Sequence, residues 1–192
     1  FYHARQLADA QDMDIDYMAL TQRLAYYAEE TRRFAEAHQL YSALAEKAES
    51  SNHWKAAPGA CHQLGNIAYE LRDFAAAQTW YKKALEIFEK QGDKHDAAIT
   101  YHQLGIIAQE LRNFAAAQAW YKKSLAIKEK QGNEHGAAGS YHQLGRIAEE
   151  LQNFPLAGDF YLKSAKIFAD TNDPYNLTIV VRSYARLLHT AT

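Results

Sequence analysis

Apolar residues recur at spacings of three and four along most of this chain. One stripe comprises Ala97, Tyr101, Leu104, Ala108 and Leu111, and a second comprises Phe114, Ala117, Tyr121 and Leu125. This spacing is typical of the buried face of an amphipathic helix. The two stripes are separated only by Arg112-Asn113. The pattern therefore predicts two helices joined by a tight turn.

Polar and glycine residues mark the predicted helix ends. Asn113 is suited to cap the second helix, because its side chain can accept an unpaired backbone N–H of the first turn. Asp73 and Asn153 occupy the equivalent positions, and Pro155 falls where a helix tolerates proline. Gly132 can end a helix in the left-handed conformation, with Asn133 starting the next one. Pro58 lies where the pattern expects helix, so it should delay the helix start to about residues 55–57 or kink the helix.

The helix pair repeats every 40 residues. The block His62-Gln63-Leu64-Gly65 returns at 102–105 and at 142–145, and 25 of 34 positions are identical between residues 62–95 and 102–135. A fixed period of this length indicates stacked units that bury their apolar faces against one another. The sequence therefore predicts an all-α solenoid of antiparallel helix pairs, with about ten helices and no strand.

The period divides the whole chain into one solenoid domain, 1–192. It predicts a partial repeat at 1–14, a divergent repeat at 15–53, and regular repeats at 54–93, 94–133 and 134–173. Residues 174–192 fit a terminal helix without a partner. Because the chain begins with Phe1 already in a helical pattern, we expect it to be a fragment of a larger protein.

These residues resemble the tetratricopeptide repeat, whose signature pairs Leu-Gly in the first helix with Ala and an aromatic residue in the second. Leu104-Gly105, Phe114, Ala117 and Tyr121 match this signature, as do the residues 40 positions before and after them. Ala117 is expected to face Gly105 across the pair. The period of 40 rather than 34, Ala108 in place of an aromatic residue, and the lack of a closing proline depart from the usual pattern. The longer period resembles kinesin light chains and the sensor arrays of bacterial STAND signalling ATPases.

The resemblance implies a right-handed superhelix whose first helices line a concave groove. Three rows of residues should lie there: Gln22, His62, His102, His142 and Arg182; then Tyr26, Asn66, Ile106, Arg146 and Arg186; then Glu29, Tyr69, Gln109, Glu149 and His189. The second and third rows change at every repeat, although the repeats are otherwise near copies. This variation favours a groove with site-specific contacts, while drift at solvated positions remains the alternative.

The candidate groove contacts are Tyr26, His62, Asn66, Tyr69, His102, Ile106, Gln109, His142, Arg146, Glu149, Arg182 and Arg186. Tyr69 and Arg146 are the best candidate anchors, because aromatic and arginine side chains dominate interface energies. The histidine row could also make binding sensitive to pH between 7.5 and 5.5.

Other kinds of site have little support. Equivalent histidines on helices about 8–10 Å apart form a row rather than a zinc cage, so no metal and no cofactor are expected. The acidic row Glu30, Glu70, Glu110 and Glu150 and the lysine pairs at 82–83 and 122–123 are interpreted as exposed ion pairs. Trp80 and Trp120 are assigned to the core. No phosphate loop, nucleophile elbow or acid–base pair suggests an enzyme.

The composition restricts the classes of partner that the chain can bind. The 21 basic and 23 acidic residues nearly balance, which argues against nucleic acid. No apolar run reaches the roughly 20 residues of a membrane span, and the single Cys61 suits a reducing cytoplasm. We therefore expect a cytoplasmic scaffold that binds a protein or peptide segment within a larger bacterial signalling protein. The alternative is a structural module that self-associates through its open ends or convex face, including a homodimer through the apolar C-terminal helix.

Overall fold

The computed structural model describes residues 17–50 and 57–190, except for the side chain of Glu49. Within these ranges the chain forms nine helices and no strand. The helices are α1 (17–30), α2 (Phe34–Ser50), α3 (Ala57–Glu70), α4 (Phe74–Gln91), α5 (Lys94–Glu110), α6 (Phe114–Lys130), α7 (Glu134–Glu150), α8 (Phe154–Asp170) and α9 (Pro174–Thr190). The all-α solenoid class is confirmed, and nine described helices agree with the expected number of about ten. The partial repeat predicted at 1–14 lies outside the described residues.

The helices fall into two compact units. The first ends at Gln91 and contains α1–α4, and the second begins at Gly92 and contains α5–α9. In the second unit α5 packs on α6 and α7 packs on α8, while α6–α7 and α8–α9 contacts join the successive pairs. In the first unit α3 packs on both α2 and α4. None of the helices in the described ranges is long and apolar enough to cross a membrane.

The predicted helix caps are confirmed. The side chain of Asn113 accepts the backbone N–H of Ala116, and Asp73 and Asn153 do the same at their own helices. Pro155 lies in the first turn of α8. Gly132 takes the left-handed φ of 68° after α6, and Asn133 caps α7. Pro58 occupies the first turn of α3, which is described from Ala57 onward.

Arginine, rather than glycine, adopts the left-handed conformation inside three of the helix pairs. Arg32, Arg72 and Arg112 have φ values of 58°, 60° and 57°. Each guanidinium lies over the ring of the phenylalanine two residues later, with Arg112 at 4.8 Å from the Phe114 ring centre. A cation over an aromatic face is favourable by about 0.5–1 kcal/mol at exposed sites. This contact offsets part of the cost of a positive φ.

Each of the three regular repeat cores is organised around one glycine and one tyrosine. A Cβ placed on Gly65, Gly105 or Gly145 would lie 2.6 Å from the ring of Tyr81, Tyr121 or Tyr161 respectively. These three tyrosines are at most 1% exposed. The prediction that Ala117 faces Gly105 is wrong in this respect, because the atoms nearest that glycine belong to the Tyr121 ring. The absent side chain makes room for a large ring rather than for a second small residue.

The substitution Gly105→Ala is expected to destabilise the fold by about 1–3 kcal/mol, because the Tyr121 ring is enclosed and cannot retreat. Gly139→Ala on α7 is the matched control, since a Cβ there has no neighbour within 4 Å. That change should stabilise the helix by about 0.5–1 kcal/mol. Urea unfolding of the two variants measures the difference. Shifts of the same sign would contradict the glycine–tyrosine contact.

Candidate functional site

The predicted rows lie on the first helices of the repeats. In the first unit they comprise residues of α1 and α3, and in the second unit residues of α5, α7 and α9. Their side chains differ in exposure: Tyr26 is 56% exposed and Arg146, Arg182 and Arg186 are also exposed, whereas Ile106 is half-buried against the core around Tyr121.

The histidine row packs against the core tyrosines. His62, His102 and His142 are half-buried, with ring centres 5.2, 5.1 and 5.6 Å from those of Tyr81, Tyr121 and Tyr161. Burial lowers the pKa of each histidine to about 4; Lys128 adds to this at His102, and Arg146 and Arg186 add to it at His142. The imidazoles are therefore neutral between pH 7.5 and 5.5, so a pH-sensitive interaction through this row is not expected in that range.

One histidine also joins two helices. Nε2 of His142 lies 3.1 Å from Oγ of Ser183, which links α7 to α9 within the second unit. By contrast, Nδ1 of His102 is buried without a hydrogen-bond partner among the described residues. The row is therefore mainly part of the packing between helices.

The third row supplies acceptors for buried tyrosine hydroxyls. Tyr41 donates to Glu29 at 3.1 Å, Tyr121 to Gln109 at 3.1 Å, and Tyr161 to Glu149 at 2.6 Å. In the remaining repeat, Tyr81 donates at 2.7 Å to Asn66 of the second row instead. Four of the variable positions therefore have a role inside their own repeat, which their sequence variation did not reveal.

Two arginines, Arg146 of α7 and Arg186 of α9, lie beside Glu149 in the second unit. Arg186 donates through Nε and Nη2 to the two oxygens of Glu149, at 3.1 and 3.0 Å. Burial raises the pKa of Glu149, but hydrogen bonds from Arg186 and Tyr161 outweigh burial and hold this pKa below its ordinary value. Arg146 donates only to the neutral side chain of Gln143, at 3.2 Å. One carboxylate is thus shared by two cations, which leaves this surface able to attract an anionic group.

A cavity of about 450 Å³ opens beside these arginines. It is lined by Arg146, Glu149, Glu150, Gln152, Phe154, Arg186 and Thr190. Phe154 gives it an apolar wall, and Arg146 and Arg186 give it a cationic one. Sequence reasoning did not include Phe154 or Gln143, because neither belongs to the three rows.

The first unit has an aromatic surface instead. A cavity of about 470 Å³ is lined by Ala19, Gln22, Arg23, Tyr26, Tyr41, Leu44, Gly59, Ala60 and Gln63. Tyr69 of α3 lies with its ring centre 5.9 Å from that of Phe74. The two units therefore present different chemistry at equivalent positions.

The acidic row pairs with arginines of the inter-helix turns rather than with lysines. Glu70 lies 3.8 Å from Arg32, and Glu150 lies 3.3 Å from Arg112. All four side chains are more than 40% exposed, so each pair contributes about 0–1 kcal/mol. The prediction that this row forms exposed ion pairs is confirmed for these two glutamates.

Trp80 and Trp120 are half-buried and serve packing. Trp120 stacks on Tyr101 with ring centres 5.6 Å apart, and Nζ of Lys123 lies 4.8 Å above the Trp120 ring. Trp80 is also half-buried, with Lys83 over its ring. Each ring is thus already covered by side chains of its own unit.

The family model of the tetratricopeptide repeat matches residues 60–130. This segment is therefore similar to the tetratricopeptide repeat. The match covers α4, α5 and α6 and most of α3. No curated protein matches the sequence of the chain.

Solved structures share the fold of these tetratricopeptide repeats. RapI in its apo form superposes with a TM-score of 0.83 at 14% identity, over 99% of this chain and 54% of RapI. A STAND protein of Pyrococcus horikoshii with a tetratricopeptide repeat sensor gives 0.72 at 20% identity, over 88% of this chain and 25% of that protein. A kinesin-light-chain-like protein of Podosopora anserina with nearly identical TPR-like repeats gives 0.73 at 16% identity, over 90% and 85%. The resemblance to both narrower groups is therefore confirmed at the level of the fold.

A further similar structure is that of a complex. A Rap protein complexed with Competence and Sporulation Factor gives a TM-score of 0.70 at 15% identity, over 89% of this chain and 48% of the Rap protein. At this identity the likeness concerns the fold alone.

Proposed function

We propose that the chain is a scaffold that binds a protein or peptide segment, as the ligand-sensing or adaptor repeat domain of a larger bacterial signalling protein. In each unit, the working surface comprises the row residues of that unit's first helices. The observation that carries the proposal is the arginine cluster of the second unit. Arg146 of α7 and Arg186 of α9 are exposed and line an open cavity with an aromatic wall, and Arg182 is exposed on α9 four residues before Arg186.

The chemistry of this surface favours an acidic segment. Arg186 is hydrogen-bonded to Glu149, whereas the hydrogen bond given for Arg146 goes to the neutral Gln143, and Glu149 acts on Arg146 only through its charge. Guanidinium groups bind carboxylates through paired hydrogen bonds, and the Phe154 wall can accept an apolar neighbour of the acidic residue. The similar structure of a Rap conjugation gene regulator in complex with the Phr* peptide supports a peptide as the class of ligand, by analogy of fold.

The double substitution Arg146→Ala/Arg182→Ala is expected to weaken binding at least tenfold, since each hydrogen bond to a charged group contributes about 1.5–3 kcal/mol. The probes are 12-residue peptides selected on the chain from a random phage-displayed library, and their dissociation constants are measured by fluorescence anisotropy. Lys122→Ala/Lys123→Ala on α6 is the control for a general loss of positive charge. If the lysine variant loses binding and the arginine variant does not, the ligand contacts another face.

Self-association is the second candidate, and exposed apolar stripes favour it. Tyr17, Leu20, Leu24 and Tyr27 on α1 are 48–60% exposed. The positions 40 residues later on α3, which are Ala57, Ala60, Leu64 and Ile67, are at most 2% exposed. On α9, Tyr175 and Val181 are 74% and 51% exposed. Such stripes can join two molecules.

Sedimentation equilibrium at several protein concentrations separates the two candidates. A monomer that binds the selected peptides supports the scaffold. A tight dimer that is disrupted by Leu20→Lys or Val181→Lys and binds no peptide supports the structural module. The matched control is Ala126→Lys on α6, an exposed position outside both stripes.

A further inference from the structure

In each of four first helices, one of two row positions accepts a hydrogen bond from the hydroxyl of the repeat's buried tyrosine. The two positions are spaced three residues apart: 26 and 29 on α1, 66 and 69 on α3, 106 and 109 on α5, and 146 and 149 on α7. In α1, α5 and α7 the later position accepts the hydroxyl of the repeat's tyrosine, through Glu29, Gln109 and Glu149. In α3 the earlier position does so, through Asn66.

Each tyrosine hydroxyl needs an acceptor within the protein because the tyrosines are buried. Tyr41, Tyr81, Tyr121 and Tyr161 are at most 2% exposed. Burial raises the pKa of Tyr41, Tyr81 and Tyr161, so these hydroxyls remain protonated donors. A buried donor without an acceptor loses its hydrogen bonds to water and gains nothing in return, which destabilises the fold. One of the two positions in each repeat must therefore carry an acceptor, and only the other can vary freely in chemistry.

In α3 the acceptor is at the earlier of the two positions. Tyr69 occupies the position that holds Gln109 and Glu149 in the second unit, and Tyr81 bonds to Asn66 instead. The amide nitrogen of Asn66 donates to Oε1 of Gln63, which turns its Oδ1 toward the tyrosine hydroxyl. Asn66 is the only amide or carboxylate at the second-row positions 26, 66, 106 and 146. Its presence coincides with an aromatic residue at the acceptor position of the same helix.

We propose that each of these first helices uses one of the two positions to accept the hydroxyl of its own tyrosine and the other to contact the ligand, and that α3 reverses this assignment. This inference rests on the proposed binding function. It makes Tyr26, Tyr69, Ile106 and Arg146 the ligand contacts, and it makes Asn66, Gln109 and Glu149 positioning residues. Within each unit, specificity then depends on one side chain per repeat, aromatic in the first unit and aliphatic or cationic in the second.

Stability measurements test the reversal without any ligand. Asn66→Ala should lower the melting temperature by about 3–8 °C. The unpaired tyrosine hydroxyl destabilises the fold, and each kcal/mol lost lowers the melting temperature of a chain of this size by about 2–4 °C. Adding Tyr69→Gln should restore at least half of that loss, because the introduced glutamine would then accept from Tyr81 as Gln109 does from Tyr121. Arg146→Ala is the matched control and should leave the melting temperature within about 1 °C. A double variant no more stable than Asn66→Ala overturns the reversal.

Binding of the phage-selected 12-residue peptides tests the ligand contact. Peptides that bind the first unit are identified by their failure to bind the Tyr26→Ala variant. These peptides should bind the Tyr69→Gln variant at least tenfold more weakly than the parent. Asn66→Asp keeps an acceptor for Tyr81 and should change their affinity less than threefold. Undiminished binding to Tyr69→Gln, with loss on Asn66→Asp, overturns the assignment. If no peptide is selected at all, the proposed function fails, while the rescue experiment still decides whether the acceptor has been exchanged.

Discussion

Lowering the pH from 7.5 to 5 is expected to destabilise the folded chain by about 3 kcal/mol. The cause is the histidine row packed on the core tyrosines. His62, His102 and His142 each have a folded pKa of about 4, below the ordinary value of 6.5. The folded state therefore binds fewer protons than the unfolded state between these values. The stability contributed by the neutral rings is complete above pH 6.5 and is lost as the pH falls toward 4.

The magnitude follows from the number of groups. With the full shifts, three histidines would lose about 6 kcal/mol together at pH 5, and partial solvent exposure of the rings reduces this to about half. Lys128 near His102, and Arg146 and Arg186 near His142, oppose protonation, whereas Glu149 near His142 favours it.

Urea unfolding at both pH values measures the effect. His102→Gln should remove about one third of the pH dependence, and the control His38→Gln on the exposed face of α2 should remove none. Equal stability at pH 7.5 and 5 would show that the rings are protonated as readily in the folded chain as in the unfolded one.

The helices and their ends could be predicted because local chemistry determines them. Asn113 caps a helix through its own side chain, and Gly132 ends one because of its own backbone freedom. The 40-residue period then predicted the solenoid, because each apolar stripe needs a neighbouring helix to cover it. These conclusions require no knowledge of which atoms meet across a helix pair.

The partner of Gly105 could not be predicted in this way. Periodicity shows that Ala117 and Tyr121 share the face toward α5, but it does not show which of them lies opposite the glycine. The offset between two packed helices decides that contact, and it places the Tyr121 ring there. Both residues lie one helical turn apart on the same stripe, so the sequence was compatible with either.

The candidate site was predicted as a surface but not as a set of roles. The three rows do lie on the first helices, yet only the structure shows that Gln109 and Glu149 bind tyrosine hydroxyls. A hydrogen bond between residues 12 apart depends on side-chain conformations that no spacing rule contains. Variation in a row therefore reflected two causes, internal acceptors and exposed contacts, which the sequence alone could not separate.

A buried lysine in the second unit provides the other large expected effect. Lys128 of α6 is 8% exposed, at the position held in α4 and α8 by Phe88 and Phe168, which are 5% and 4% exposed. Its ammonium donates to Oγ of Ser140 at 3.2 Å and has no carboxylate partner within the described part of the chain. The sequence shows Lys128 as a charged residue within an apolar stripe. Its burial in the structure is what makes this charge destabilise the fold.

Lys128→Met is expected to stabilise the chain by about 2–3 kcal/mol at pH 7, because burial lowers the lysine pKa from 10.5 to about 8 and each unit corresponds to about 1.4 kcal/mol. Methionine keeps the length of the side chain and removes the charge. In the parent the penalty is complete below pH 8, where the lysine is protonated in both states, and disappears above pH 10.5, where it is neutral in both. The advantage of the variant should therefore shrink as the pH rises from 8 to 10.5.

Lys122→Met, at an exposed position of the same helix, should change stability by less than about 0.5 kcal/mol at every pH. If Lys128→Met is no more stable than the parent at pH 7, the ammonium group is solvated in the folded chain and the α6–α7 contact is open to water.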